Sequence, residues 1–193
     1  MKTFISMLRG INVGGKNKIA MPALRALYES LGFTRVATYV QSGNVVFDSD
    51  EQDAARTARA IEEGIAQTLG LSLPVIVRDE SCLQRVIASH PFAARNAADP
   101  TKLHITFLSA APSAAALDRL TLPTGCADEF AVEDREIYLF CPSGYGVTKL
   151  SNNFFEKKLG LAATTRNWKT VHALLELAQG GVAQKCRKGG VKL

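Results

Sequence analysis

Residues 69–87 read LGLSLPVIVRDESCLQRVI, and residues 159–177 read LGLAATTRNWKTVHALLEL. Each begins Leu-Gly, passes through a short strand-like run to an arginine, and continues with Asp or Asn ahead of a helical pattern. A repeat at this spacing organises everything around it. Upstream, KTFISMLR (2–9) lines up with KLHITFLS (102–109), and VQSGNVVF (40–47) with VEDREIYLF (132–140). The last pair reads as two hairpins, turning at Ser42-Gly43-Asn44 and at Asp134-Arg135. The offset between copies shrinks along the chain, as shorter helices in the second copy would require.

The segments between these anchors have helical periodicity. Leu24, Leu27 and Leu31 share a face behind Pro22, a favourable first-turn residue. Ile61, Ile65 and Leu69 line a longer helix from about Asp53. Leu83, Val86 and Ile87 mark another, which Pro91 stops. In the second copy Leu117 and Leu120 predict a short helix. Asn153 and Glu156 have capping-box spacing ahead of an apolar stretch. Trp168, Val171, Leu174 and Leu175 form the last stripe, with Asn167 as N-cap. Each copy therefore reads strand–helix–strand–strand–helix–strand with a trailing helix. This is the ferredoxin-like βαββαβ pattern, so the predicted class is α+β, two tandem subdomains related by internal duplication. The expected boundaries are 1–98, 99–179 and a basic tail at 180–193, with HPFAARNAADP (90–100) as the connection.

Composition sets the class of partner. The chain has 193 residues, 47% hydrophobic and 21% charged, as in ordinary globular proteins. No run approaches the ~20 apolar residues of a membrane span, so no membrane partner is expected. Arg9 interrupts the N-terminal apolar run too early for a secretory signal, and a cytoplasmic location is expected. The net charge is +5. Lys185, Arg187, Lys188 and Lys192 account for four of those charges, leaving 5 − 4 = +1 for the rest. The body lacks the basicity of a nucleic-acid binder, and nucleic acid enters only as a weak, nonspecific partner of the tail. Cys82, Cys126, Cys141 and Cys186 lack zinc-ligand spacing and are expected as thiols. No metal or cofactor is expected.

One segment carries chemistry: LRGINVGGKNKI (8–19). Residues 10–17, GINVGGKN, nearly match a phosphate-binding P-loop, but Asn17 replaces the metal-holding hydroxyl and the following helix starts near Met21, too late. A simpler reading keeps the loop as an anion site. Gly10, Gly14 and Gly15 expose backbone N–H groups, Lys16 and Lys18 add charge, and Arg9 can grip an oxyanion. The structural alternative is that Asn12 and Asn17 bond nearby backbone while the lysines are solvated. In a ferredoxin-like unit the loop after the first strand and the hairpin between strands two and three share one sheet edge. That edge is rich in the first copy (9–18 and 41–44) and plain in the second (SAAPS and EDRE). The second copy is elaborated at its other edge, CPSGYGVTKLSNN (141–153) and TTRN (164–167). There Tyr145, between two glycines, can stack on a base, and Lys149, Lys157, Lys158 and Arg166 supply charge.

No catalytic constellation is visible. His90 sits at a helix end, where a cation suits the dipole; His104 is mid-strand and His172 lies on the last helix. No serine or cysteine carries a nucleophile motif. SGNVVFDS has one aromatic where RNA-recognition strands show two or three.

The segments LRGINVGGKNKI, QSGNVVF, HPF, GYGVTKLSNNFFEKKLG and ATTRNW together resemble the bacterial family called domain of unknown function 1697. Thr148 stands where the pattern has Ser, and Lys169 where it has Asn. The resemblance implies a cytoplasmic α+β protein of two related subdomains and carries over no catalytic residues. Its motifs fall on the two elaborated edges. The expectation is therefore that both edges line a single cleft for a small anion, a nucleotide or phosphorylated metabolite. Its candidate residues are Arg9, Gly10, Asn12, Gly14, Gly15, Lys16, Asn44, Tyr145, Lys149, Asn152 and Arg166. The alternatives are a nucleic-acid or protein-interaction module, or an enzyme acting on a phosphorylated small molecule.

Overall fold

The structure is a computed structural model that describes residues 1–15, 17–94 and 99–181. Lys16, part of the expected connection (95–98) and the basic tail from 182 onward, Cys186 included, lie outside the described residues. The first repeat runs β1 (Lys2–Leu8), α1 (Met21–Ser30), β2 (Thr34–Tyr39), β3 (Asn44–Ser49), α2 (Ala54–Leu69), β4 (Val75–Asp79) and α3 (Glu80–Ala88). The second runs β5 (Leu103–Leu108), α4 (Ala114–Leu117), β6 (Glu129–Glu133), β7 (Glu136–Phe140), α5 (Asn152–Leu159), β8 (Ala163–Asn167) and α6 (Trp168–Ala178). Two four-stranded antiparallel sheets result, ordered β2-β3-β1-β4 and β6-β7-β5-β8. These are two ferredoxin-like units, as the repeat predicts. Helices α4 and α5 are shorter than α1 and α2, which accounts for the shrinking offset. No helix among the described residues is long and apolar enough to cross a membrane.

Strand parity divides the core into three layers. On β1, Phe4 and Leu8 face α1 and α2, joining Tyr28, Phe33 and Phe47. Ser6, a buried polar side chain of β1 in this layer, is satisfied by Tyr28, Oγ to Oη 2.8 Å. Ile5 and Met7 point the other way, and so do Ile105, Phe107 and Tyr138 of the second sheet. These inner faces share one core with Leu83 and Val86 of α3 and Val171 and Leu174 of α6. The trailing helices are thus the filling between the sheets. The outer face of the second sheet packs Leu108, Ile137 and Leu139 on Phe155 and Leu159 of α5.

The helix signals hold with particular differences. Asp53 and Asn167 cap α2 and α6. Helix α4 ends at Leu117, and Leu120 reaches the core from beyond it. The cap of α5 is Ser151, whose hydroxyl accepts from Phe154 N–H, rather than Asn153. Glu156 is thereby free for longer-range work.

His90 overturns the dipole expectation. It is 5% exposed, in edge-on contact with the rings of Phe92, Tyr138 and Trp168. Its Nδ1 accepts from Phe92 N–H, and its buried Nε2 makes no hydrogen bond of good geometry among the described residues. Burial pushes its pKa from 6.5 down to about 4, so desolvation outweighs the helix dipole. Below pH 6.5 the unfolded chain takes a proton that the folded chain refuses until about pH 4. Stability is therefore complete above pH 6.5 and falls as pH drops through this window, by about 1–3 kcal/mol. Urea melts of wild type and His90→Phe between pH 7 and pH 4 check this: the variant is expected to have a clearly shallower slope, the remainder coming from His104 and His172, whose pKa values burial also lowers.

A candidate anion site where the two repeats meet

Strands β1 and β3 place the glycine loop and the β2–β3 hairpin on one edge. Leu8 N–H donates to Gly43 O at 2.9 Å, and Asn12 Nδ2 reaches Gln41 O at 2.9 Å. Asn12 also clamps its own loop, exchanging bonds with the N–H and C=O of Ile19. Asn17 Nδ2 donates to Gly10 O. The asparagines thus do what the structural alternative asked of them. The backbone is held in an uncommon shape here: Asn12, Asn17 and the β-branched Val40 all have φ between 47° and 54°. Non-glycine residues adopt such angles rarely, and they cluster at functional loops.

The elaborated edge of the second repeat docks on this one. Arg9 Nε and Nη2 grip both oxygens of Glu156 at 3.0 Å, and Nη2 reaches Asn153 Oδ1 at 2.7 Å. Glu156 Oε1 also accepts the first N–H of β8, from Ala163. Arg166 crosses in the opposite direction. Its Nε donates to Asn44 Oδ1 at 2.5 Å and its Nη2 to Leu8 O and Ser42 O, while Nη1 serves Thr164 Oγ1 and Thr165 O. All five guanidinium donors are satisfied.

Arg166 has a counterpart. Arg78 pairs with Ile5 in the β4–β1 register, as Arg166 pairs with Ile105 in the β8–β5 register. Arg78 crosses to the second repeat, Nε to Glu136 Oε1 at 2.7 Å and Nη2 to Leu108 O at 2.6 Å. Leu108 ends β5 as Leu8 ends β1, and Glu136 begins β7 as Asn44 begins β3. Two arginines at equivalent places thus exchange between the repeats. They differ in one respect that decides the electrostatics. Arg78 faces a carboxylate, whereas Arg166 faces a neutral amide and makes no ion pair among the described residues. Burial lowers the Arg166 pKa to about 10, and the Arg9 charge pushes the same way. The result is a buried cation of undiminished charge beneath this edge.

Donors without acceptors surround it. Arg9 Nη1 and the Nδ2 groups of Asn152 and Asn153 have no acceptor among the described residues; Asn152 uses only its Oδ1, to accept from Thr165. Tyr145 stacks on His104 with ring centroids 4.8 Å apart, and its buried hydroxyl, close to the Thr165 side chain and the Asn152 backbone, makes no hydrogen bond of good geometry among the described residues. Burial raises the Tyr145 pKa, so the hydroxyl stays a donor. Gly10, Gly14 and Gly15 border open space. Lys149 is anchored to the preceding segment, Nζ to Thr124 O at 3.0 Å.

Comparison with known proteins places the chain. The family described as Protein of unknown function (DUF1697) matches residues 1–138. The chain belongs to this family. The DUF1697 match spans the glycine loop and the 40–47 hairpin and ends within β7, so the segments from 141 onward lie beyond it. Among solved structures, the chain is similar to the conserved bacterial protein SP0830 from Streptococcus pneumoniae, with a TM-score of 0.71 and 22% identity over 92% of this chain and 98% of that one. That likeness shows the fold alone. No curated protein matches.

Sequence reasoning overlooked Asn153 and Glu156 as partners of Arg9, and Arg78–Glu136 altogether. The signal for Arg78 was present, since the repeat itself aligns it with Arg166.

Proposed function

We propose that this DUF1697 protein is a binding module for a small anionic ligand, a nucleotide or phosphorylated metabolite, held at the edge where Arg9 and Arg166 meet. One observation carries the reading: Arg166 is a buried cation facing only neutral acceptors, where its counterpart Arg78 has a carboxylate. Taking a guanidinium out of water costs several kcal/mol, and a nearby anion offsets that cost. Arg166 has no donor left for the ligand and acts through its field. The bonds come from Arg9 Nη1, Asn152, Asn153, Tyr145 and the glycine N–H groups, all of which favour an oxyanion.

The titratable groups support binding over catalysis. Burial pushes His90 down to about 4 and Cys141 up to about 11, and it raises Cys82 as well. The two thiols are held in their neutral, weakly nucleophilic form at pH 7, and the neutral imidazole of His90 is a weak base closed in by the rings of Phe92, Tyr138 and Trp168.

A thermal-shift panel of pyrophosphate, nucleotides and sugar phosphates tests the reading. A ligand at 100-fold its Kd adds about 2.7 kcal/mol, or about 5–10 °C for a chain of this size. Arg9→Gln, which loses a donor at the proposed site, is expected to shrink the shift. A flat panel would contradict the proposal.

A further inference from the structure

We infer that a second, separate receptor for a small phosphate-bearing ligand lies at the Arg78 end of the repeat pair. A cleft of about 470 Å³ opens there between α3 of the first repeat and Arg135 of the β6–β7 turn. Its volume lies in the range of small-molecule sites. It is distinct from the Arg9–Arg166 edge and shares no residue with it.

Three guanidinium groups line the cleft: Arg78, Arg85 and Arg135. Arg78 is 3% exposed. Its Nε serves Glu136, its Nη2 serves Leu108 O and Arg135 O, and one Nη1 proton serves Val77 O at 3.0 Å. An arginine has five such protons, so one Nη1–H of Arg78 stays unpartnered among the described residues. In this too Arg78 departs from Arg166, whose donors are all used. Arg85 is exposed and forms no ion pair among the described residues. Among the described residues Arg135 pairs with its neighbour Asp134, loosely, at 3.7 Å.

One carboxylate lines the cleft, that of Asp79, and it is already engaged. Lys2 Nζ lies 2.7 Å from it, and the Cys82 N–H and Ser81 hydroxyl each donate to it at 2.8 Å. Glu136 is likewise held by Arg78. The lining cations least engaged are Arg135, with its loose pair to Asp134, and Arg85, which the carboxylates of Glu136 and Asp79 reach only through their field. Planar guanidinium forks match phosphate oxygens two at a time, a fit a halide cannot make, and a phosphate offers oxygens to more than one fork at once. Val77 and Ala54 give the wall an apolar part for the body of an organic phosphate.

The test uses the full chain and inorganic pyrophosphate. Backbone amide NMR spectra are recorded during a titration of wild type, of the Arg85→Gln/Arg135→Gln double variant, and of Arg9→Gln. Both cleft arginines reach solvent, and circular dichroism melts confirm that the double variant folds. The Ser81, Gln84 and Arg85 amides are expected to shift saturably in wild type and in Arg9→Gln. In the double variant the affinity read at Ser81 and Gln84 is expected to fall about tenfold or more. Unmoved α3 amides in wild type, or equal affinity in the double variant, would overturn the inference. Loss of the shifts in Arg9→Gln alone would also overturn it, because the cleft would then not be a separate site.

Discussion

Glu136→Ala is expected to destabilise the protein by about 3–5 kcal/mol, the usual cost of removing one partner of a buried ion pair. The carboxylate is 5% exposed and 2.7 Å from Arg78 Nε. Truncation leaves the Arg78 charge in the seam between the sheets with no anion beside it. It also opens space beside Cys82, whose thiol points at Glu136 Oε1 from 3.9 Å. For a chain of this length the melting temperature should fall by about 6–20 °C. Glu136→Gln should lose less, because an amide oxygen still accepts from Nε, the arrangement that Asn44 and Arg166 already show. A calorimetric loss under about 1 kcal/mol for the alanine variant would mean that the pair is not a lock between the repeats.

Gly43→Ala is the second large effect. Gly43 has φ +73°, and a Cβ there would stand 2.8 Å from Leu8 Cβ and 2.8 Å from Ile11 Cδ1. A left-handed backbone costs an L-residue about 1–2 kcal/mol, and crowding a packed contact about 1–3 more. Ile11 can yield, but Leu8 Cβ is fixed to the strand. The expected loss is about 3 kcal/mol, a fall of about 6–12 °C. Because Gly43 lies between Ser42 and Asn44, the strain passes to two of the groups that hold Arg166. The variant should therefore also weaken any anion binding at this edge. Calorimetry gives the first quantity and titration with pyrophosphate the second.

The fold was legible because its determinants are local. Apolar alternation set the strands, helical stripes set the helices, and the repeat supplied an internal check. The meeting of the two elaborated edges was also foreseeable, from topology and loop composition. The partners across the seam were not. Glu136 reads as the start of an ordinary edge hairpin, and nothing near it in the chain announces Arg78, 58 residues away. Asn153 and Glu156 look like a capping box because spacing alone cannot tell a box from a neighbour one turn inside the helix. Ser151 takes the cap, and Glu156 goes instead to Arg9. His90 was read from helix position, whereas its charge is decided by the rings of Phe92, Tyr138 and Trp168 that close around it.

Asn44→Asp tests the central claim most directly. It is nearly isosteric, and Asn44 Oδ1 already lies 2.5 Å from Arg166 Nε. The substitution places a carboxylate opposite Arg166, as Glu136 stands opposite Arg78. If the unneutralised charge of Arg166 draws an anion to this edge, the built-in carboxylate should take its place. The measurement is calorimetric titration of wild type and Asn44→Asp with pyrophosphate, with heat arising at the Arg78 cleft removed in both by Arg85→Gln/Arg135→Gln. Affinity at least about tenfold weaker in the aspartate protein, with its fold retained, is the predicted result. Equal affinity in the two proteins would contradict the account.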